Sequence, residues 1–146
     1  MGSKKRSPTK RYFTVAEANA ALPLVKSIVR DIAQLAQELR ERHERLARIR
    51  TPGQEPSSGA YDEEIDQILA EFERGKERMR EYEQELKSLG VELKEYYAGL
   101  VDFPSRMDGR EVYLCWRLGE DEVSYWHELD AGFAGRQKLL ANAAKG

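Results

Sequence analysis

Apolar residues recur in steps of three and four along the first two thirds of this chain, and in steps of two along the last third. From Leu22 the series Leu22, Val25, Val29, Ile32, Ala36, Leu39, His43 and Leu46 forms an a/d seam, widened on one flank by Ile28, Leu35 and Ile49. A second seam runs through Tyr61, Ile65, Ile68, Phe72, Gly75, Met79, Tyr82, Leu86 and Leu89. These patterns predict one helix within residues 12–50 and another over 60–89. The break between them contains Thr51-Pro52-Gly53 and Pro56-Ser57-Ser58-Gly59. Thr14-Val15-Ala16-Glu17 is a capping box for the first helix, and Gly90 suits the end of the second. Pro23 inside the first pattern predicts a kink or a detached first turn. A short polar connection between helices of similar length predicts an antiparallel, coiled-coil-like hairpin, with Gly75 near Leu35 and Ala36.

Beyond Gly90 the period changes to two. Val91–Lys94, Leu100–Phe103, Glu111–Leu118 and Val123–Leu129 read as strands, with Asp108-Gly109 and Gly119–Glu122 as turns. The expected fold is α+β, a long helical hairpin with a small C-terminal antiparallel β-meander over 91–129 and a return segment at 130–140. With the last turn centred on Glu120-Asp121, Trp116 would face Tyr125 and Leu114 would face His127. That register puts Val112, Leu114, Trp116, Leu118, Val123, Tyr125, His127 and Leu129 on the core face. It leaves Tyr113, Cys115, Arg117, Ser124, Trp126 and Glu128 on the other.

Composition narrows the setting. The 146 residues fit one domain, taken as 12–140, between a disordered basic tail at 1–11 and a short tail at 141–146. The longest apolar run, Ala20–Val25, is too short to span a membrane, and no apolar stretch follows the basic N-terminus as in a secretory signal. With one cysteine, Cys115, a reducing cytoplasm is the expected compartment. The net charge is −2, but five basic residues lie in the first eleven positions, so the body is distinctly acidic. Such a body is a poor partner for nucleic acid, whose binding depends on accumulated Lys and Arg contacts.

Five separated blocks carry a resemblance: YFTVAEANAALPLV (12–25), GVELK (90–94), GLVDFPS (99–105), GREVYLCWRLGE (109–120) and YWHELDAGFAGRQ (125–137). Together they resemble the prokaryotic family called domain of unknown function 2203. The resemblance implies a small bacterial or archaeal protein of this architecture and brings no established activity.

Candidate chemistry gathers in residues 99–136, which hold both tryptophans, the cysteine and one of two histidines. Arg117, Trp126, Glu128 and Arg136 are candidates for binding an anion. Arg supplies a planar fork for carboxylate or phosphate, and Gly132-Phe133-Ala134-Gly135-Arg136 could form a backbone nest. Glu92, Asp102, His127 and Glu128 are candidates for a divalent metal, although neighbours on a regular strand point to opposite faces. No HExxH, CxxC or Glu-x-x-His spacing occurs.

Two functions remain open. The leading one is a non-enzymatic interaction or scaffold protein, a homodimer through the Ile28, Leu35 and Ile49 stripe with a protein partner at the sheet. The alternative is a small-anion or divalent-metal-binding protein, enzymatic or not, with its site on the sheet.

Overall fold

The computed structural model describes residues 10–49 and 59–140. Helix α1 spans Val15–Ile49 and helix α2 spans Gly59–Leu89. They are followed by β1 (Glu92–Glu95), β2 (Leu100–Met107), β3 (Arg110–Arg117), β4 (Tyr125–Glu128) and β5 (Gln137–Lys138). The strands form one antiparallel sheet in sequence order. The expected residues 50–58 of the connection, and the two tails at 1–9 and 141–146, lie outside the described residues.

Local chemistry sets the helix ends. Thr14 Oγ1 accepts from the Glu17 backbone N–H at 3.0 Å, and the Glu17 carboxylate accepts from the Thr14 N–H at 2.9 Å. This reciprocal pair satisfies two donors that a helix start leaves open. At the other end, Gly90 adopts φ 87° while the Gly90 and Val91 N–H groups donate back to the Lys87 and Leu86 carbonyls. That is a Schellman closure. Pro23 does not split the helix: α1 runs unbroken through it. Only one bond is lost there, on an exposed turn.

The hairpin pairs as the two seams require. A side chain at Gly75 would meet Leu39 and then Leu35, so the close approach of the helices is centred one turn further along α1 than Ala36. His43 leaves the seam: it is exposed and lies beside Phe72, ring centroids 6.3 Å apart. Ile28 and Leu35 are buried within a single chain. The apolar stripe that motivated a second copy is therefore covered at those two positions by the chain itself.

The core joins Val25, Val29 and Ile32 of α1 and Leu86 of α2 to Val101, Phe103, Leu114 and Trp116 of the sheet. β2 is longer than the sequence pattern suggested, because Pro104 sits inside it. Its partner β1 has ended by that point, and the Pro104 carbonyl accepts from the Phe13 N–H at 2.7 Å. A proline without an N–H is tolerated where no strand needs that donor.

The largest departure from expectation is the register of β4. Val112 pairs with Glu128, Tyr113 with His127, Leu114 with Trp126 and Cys115 with Tyr125. This is one residue away from the register expected from the turn alone. A slip of one exchanges the two faces of a strand. Tyr125 and His127 therefore share the face of Tyr113 and Cys115, and Trp126 moves to the helix side and packs on the core. The cause is tertiary. Asn19 of α1 accepts from the Val123 N–H at 2.7 Å and donates to the Val123 carbonyl at 3.4 Å, while Trp116 Nε1 donates to the Glu120 carbonyl at 3.0 Å. The Asn19 bonds hold the loop from outside the hairpin, and the Trp116 bond holds it from within.

Candidate metal centre

Asp102 on β2, Cys115 on β3 and His127 on β4 lie side by side across three adjacent strands. Asp102 pairs with Cys115 in the β2–β3 ladder, and Cys115 and His127 occupy the same face of the next one. All three are buried on the sheet face opposite the helices. One donor atom from each lies within 4.8 Å of the other two.

The imidazole is held by both nitrogens. Nδ1 is 2.7 Å from the Glu128 carbonyl oxygen, which can only accept, so Nδ1 carries a hydrogen. Nε2 then faces Asp102, 3.1 Å from each carboxylate oxygen. A lone pair and a carboxylate at that distance need a proton or a cation between them. Burial raises the Asp102 carboxyl above its usual range, opposed by the His127 ring. Burial, reinforced by the Asp102 carboxylate, pushes the Cys115 thiol up to about 11. This is not a nucleophilic triad: the imidazole is committed to Glu128 and Asp102, and the thiol is far from ionised.

Side chains on the same face cover the cluster. The Tyr113 ring lies over His127, centroids 5.5 Å apart. The Tyr113 hydroxyl donates to Glu92 at 3.0 Å, and Glu92 also pairs with Lys94 at 2.8 Å. Arg136 comes from the return segment. Its Nη1 is 3.8 Å from Cys115 Sγ and 3.2 Å from Glu120 Oε1, and its Nη2 bonds Glu120 Oε2. The guanidinium sits over Tyr125 at 3.8 Å and Phe133 at 4.4 Å.

The sequence candidates therefore separate. Asp102 and His127 meet, and Arg136 reaches the cluster's edge. Glu92 is engaged with Tyr113 and Lys94. Glu128 points to the other face and forms a two-bond ion pair with Arg110, at 3.2 and 2.6 Å. Glu128 is thus taken up by Arg110, and Arg117, the other anion candidate, is exposed beside Phe133. Trp126 faces the core instead of walling an outer site. In the sequence Cys115 is only a lone thiol on one strand face, and Glu120 only a turn residue. Neither could be placed beside Asp102 or Arg136 without the true register.

The model of an uncharacterized conserved protein family, DUF2203, matches residues 11–139. The chain belongs to this family. No curated protein and no solved structure matches it. The family match spans the whole hairpin and sheet, including Asp102, Cys115, His127 and Arg136. Among the described residues, no helix is long and apolar enough to cross a membrane.

Proposed function

We propose that this DUF2203 protein binds a divalent transition-metal ion through Asp102, Cys115 and His127. The observation that supports this reading is the convergence of a thiol, an imidazole and a carboxylate on one buried point. The Glu128 carbonyl fixes the imidazole through Nδ1, so that Nε2 is the nitrogen presented to Asp102 and to an ion that replaces the proton between them. Metal-binding histidines are commonly oriented by such a second bond from the other nitrogen. Bonds of about 2.0–2.3 Å set tetrahedral ligand atoms about 3.3–3.8 Å apart. The 4.8 Å span would need to close by only about 1 Å.

The donor set also selects the ion. A thiolate with an imidazole favours Zn²⁺, Co²⁺ or Fe²⁺ over Mg²⁺ or Ca²⁺, which prefer oxygen. Thiolate, carboxylate and a dication sum to zero charge, the least costly state for a buried centre. Calorimetric titration of metal-free protein with Zn²⁺, and optical titration with Co²⁺, test this. The expected result is a one-to-one complex with a near-ultraviolet thiolate–Co²⁺ band. Cys115→Ser and His127→Ala should each weaken binding at least tenfold, and Glu128→Gln should not. An unchanged affinity in Cys115→Ser would exclude this site.

A second reading, an interaction role, has one supporting feature. Beyond the sheet, the hairpin continues as an arm whose two helices meet through Arg42–Glu71, Arg45–Glu64 and His43–Phe72. Leu46, Leu69 and Phe72 are only half-buried there. A homodimer through this arm would cover them. Sedimentation equilibrium at micromolar concentration tests it, and a 16.8 kDa monomer would remove the reading.

A further inference from the structure

Among the described residues, Arg136 is the cation that touches Cys115 of the proposed metal centre, and its fork already holds a carboxylate. Both terminal nitrogens bond the two oxygens of Glu120, while Nη1 also lies 3.8 Å from Cys115 Sγ. Tyr125 and Phe133 pack on the guanidinium, so the fork has a fixed plane. Glu120 is the more exposed partner, although its backbone N–H donates to the Arg117 carbonyl and its carbonyl accepts from Trp116. It belongs to the turn after β3, follows Gly119 at φ 108°, and its side chain is 23% exposed against 14% for Arg136. Besides Arg136, among the described residues its carboxylate accepts the Arg117 N–H, at 3.0 Å.

We propose that Arg136 is a seat for a small carboxylate ligand beside the metal, filled here by the chain's own Glu120. This rests on the metal reading above. Three protein ligands leave a fourth position on a tetrahedral ion. The cluster is bordered by Tyr113 at His127 and by Arg136 at Cys115, so an anion entering on the Cys115 side meets the fork. Exchanging one carboxylate for another keeps the two-bond geometry of the guanidinium, and the incoming one also gains the ion. Charge favours a monoanion. The metal centre is neutral, Arg136 carries +1, and a single carboxylate balances it, whereas a phosphate dianion leaves an uncompensated charge. Glu120 thus acts as a tethered competitor, and its side chain must leave the fork for the ligand to enter.

Trp116 supplies a reporter, because its indole N–H donates to the Glu120 carbonyl at 3.0 Å. Acetate is titrated into the Zn²⁺ protein while the Trp116 indole resonance is followed, and into the Co²⁺ protein while the visible bands are followed. Inorganic phosphate is the comparison. Both signals should move with acetate. Glu120→Gln should bind acetate at least tenfold more tightly than wild type. Arg136→Lys should bind it at least tenfold more weakly with Co²⁺ affinity within threefold of wild type, which also certifies its fold. An unchanged acetate affinity in Glu120→Gln overturns the proposal, as does stronger binding of phosphate than of acetate. If the wild type takes up no Co²⁺, the metal reading fails by itself. The seat is then judged on the metal-free protein, where an unmoved Trp116 resonance overturns it too.

Discussion

His127 presents Nε2 to both oxygens of Asp102 at 3.1 Å, and both side chains are almost wholly removed from solvent. The residues are 25 positions apart and on strands that do not pair with each other; β3 lies between them, and Cys115 fills the gap. The contact exists only because β4 pairs with β3 in one register. Shifted by one residue, His127 would enter the helix-side core and Trp126 would take its place. The candidate site is therefore a property of the register more than of any motif.

Cys115 should be inert in the folded, metal-free protein. It is fully buried and its thiol is pushed up to about 11 by burial and by Asp102. At pH 8 only about one thiol in a thousand would be ionised. Reaction with a small disulfide reagent at that pH should be more than a hundredfold slower than in urea-unfolded protein. Comparable rates in the two states would show that Cys115 is open to solvent.

Gly99 should not accept alanine. It adopts φ 68° in the turn before β2, and a Cβ there would lie 2.7 Å from Leu118 Cβ and 2.8 Å from Val29 Cγ1. Left-handed strain and overpacking against both α1 and the sheet add together, about 2–3 kcal/mol in all. Urea unfolding of Gly99→Ala should show a lower midpoint with an unchanged slope. Wild-type stability would mean that this turn relaxes freely.

The hairpin and the strands were legible in the sequence because their causes are local. The seams recur at helical spacing, Thr14 and Glu17 close a box within four residues, and β-rich runs alternate between turn signals. The register was not legible, because Asn19 fixes it from 104 residues away. Asn19 looks like any polar helix residue. The cluster was only partly legible for the same reason: Asp102 and His127 were candidate ligands, but Cys115 stands alone between Leu114 and Trp116, and only the pairing of three strands brings the three together. One usable signal was present. Asp102 lies between Val101 and Phe103, an acid in a run that otherwise reads as buried, and a buried acid requires a partner.

Glu95 should make part of the stability depend on acid pH. Its carboxylate accepts from the Ala98 N–H at 2.7 Å and the Tyr97 N–H at 3.0 Å, and these bonds, Ala98 first, hold its carboxyl below the usual range. A folded-state value below the unfolded one means stability that is present above the unfolded value, near pH 4.3–4.5, and lost as pH falls through the folded value. Glu95→Gln keeps an acceptor and loses the charge. The stability difference between the two proteins should be constant from pH 6 to 7 and vanish toward pH 2. A difference that does not change with pH would mean that the turn does not depend on the charge.

The tautomer of His127 makes the sharpest distinction. With Nδ1–H given to the Glu128 carbonyl, Nε2 is an acceptor wherever Asp102 carries the intervening proton. An asparagine amide can then replace that proton, donating to Nε2 in the same space. Asp102→Asn should therefore lie within about 1 kcal/mol of wild type in metal-free unfolding, since it trades one satisfied buried hydrogen bond for another. His127→Ala is different. It leaves a cavity and a buried carboxyl without its partner, and should cost about 3 kcal/mol or more. Both should lose Zn²⁺ affinity at least tenfold, because an amide is a far poorer ligand than a carboxylate and alanine is none. Metal-free urea unfolding set beside a Zn²⁺ competition titration reads the two effects separately. If Asp102→Asn were as destabilising as His127→Ala, the charge of Asp102 and not a neutral hydrogen bond would hold the pair. Equal stability with lost metal affinity would instead assign Asp102 to the ion and not to the fold.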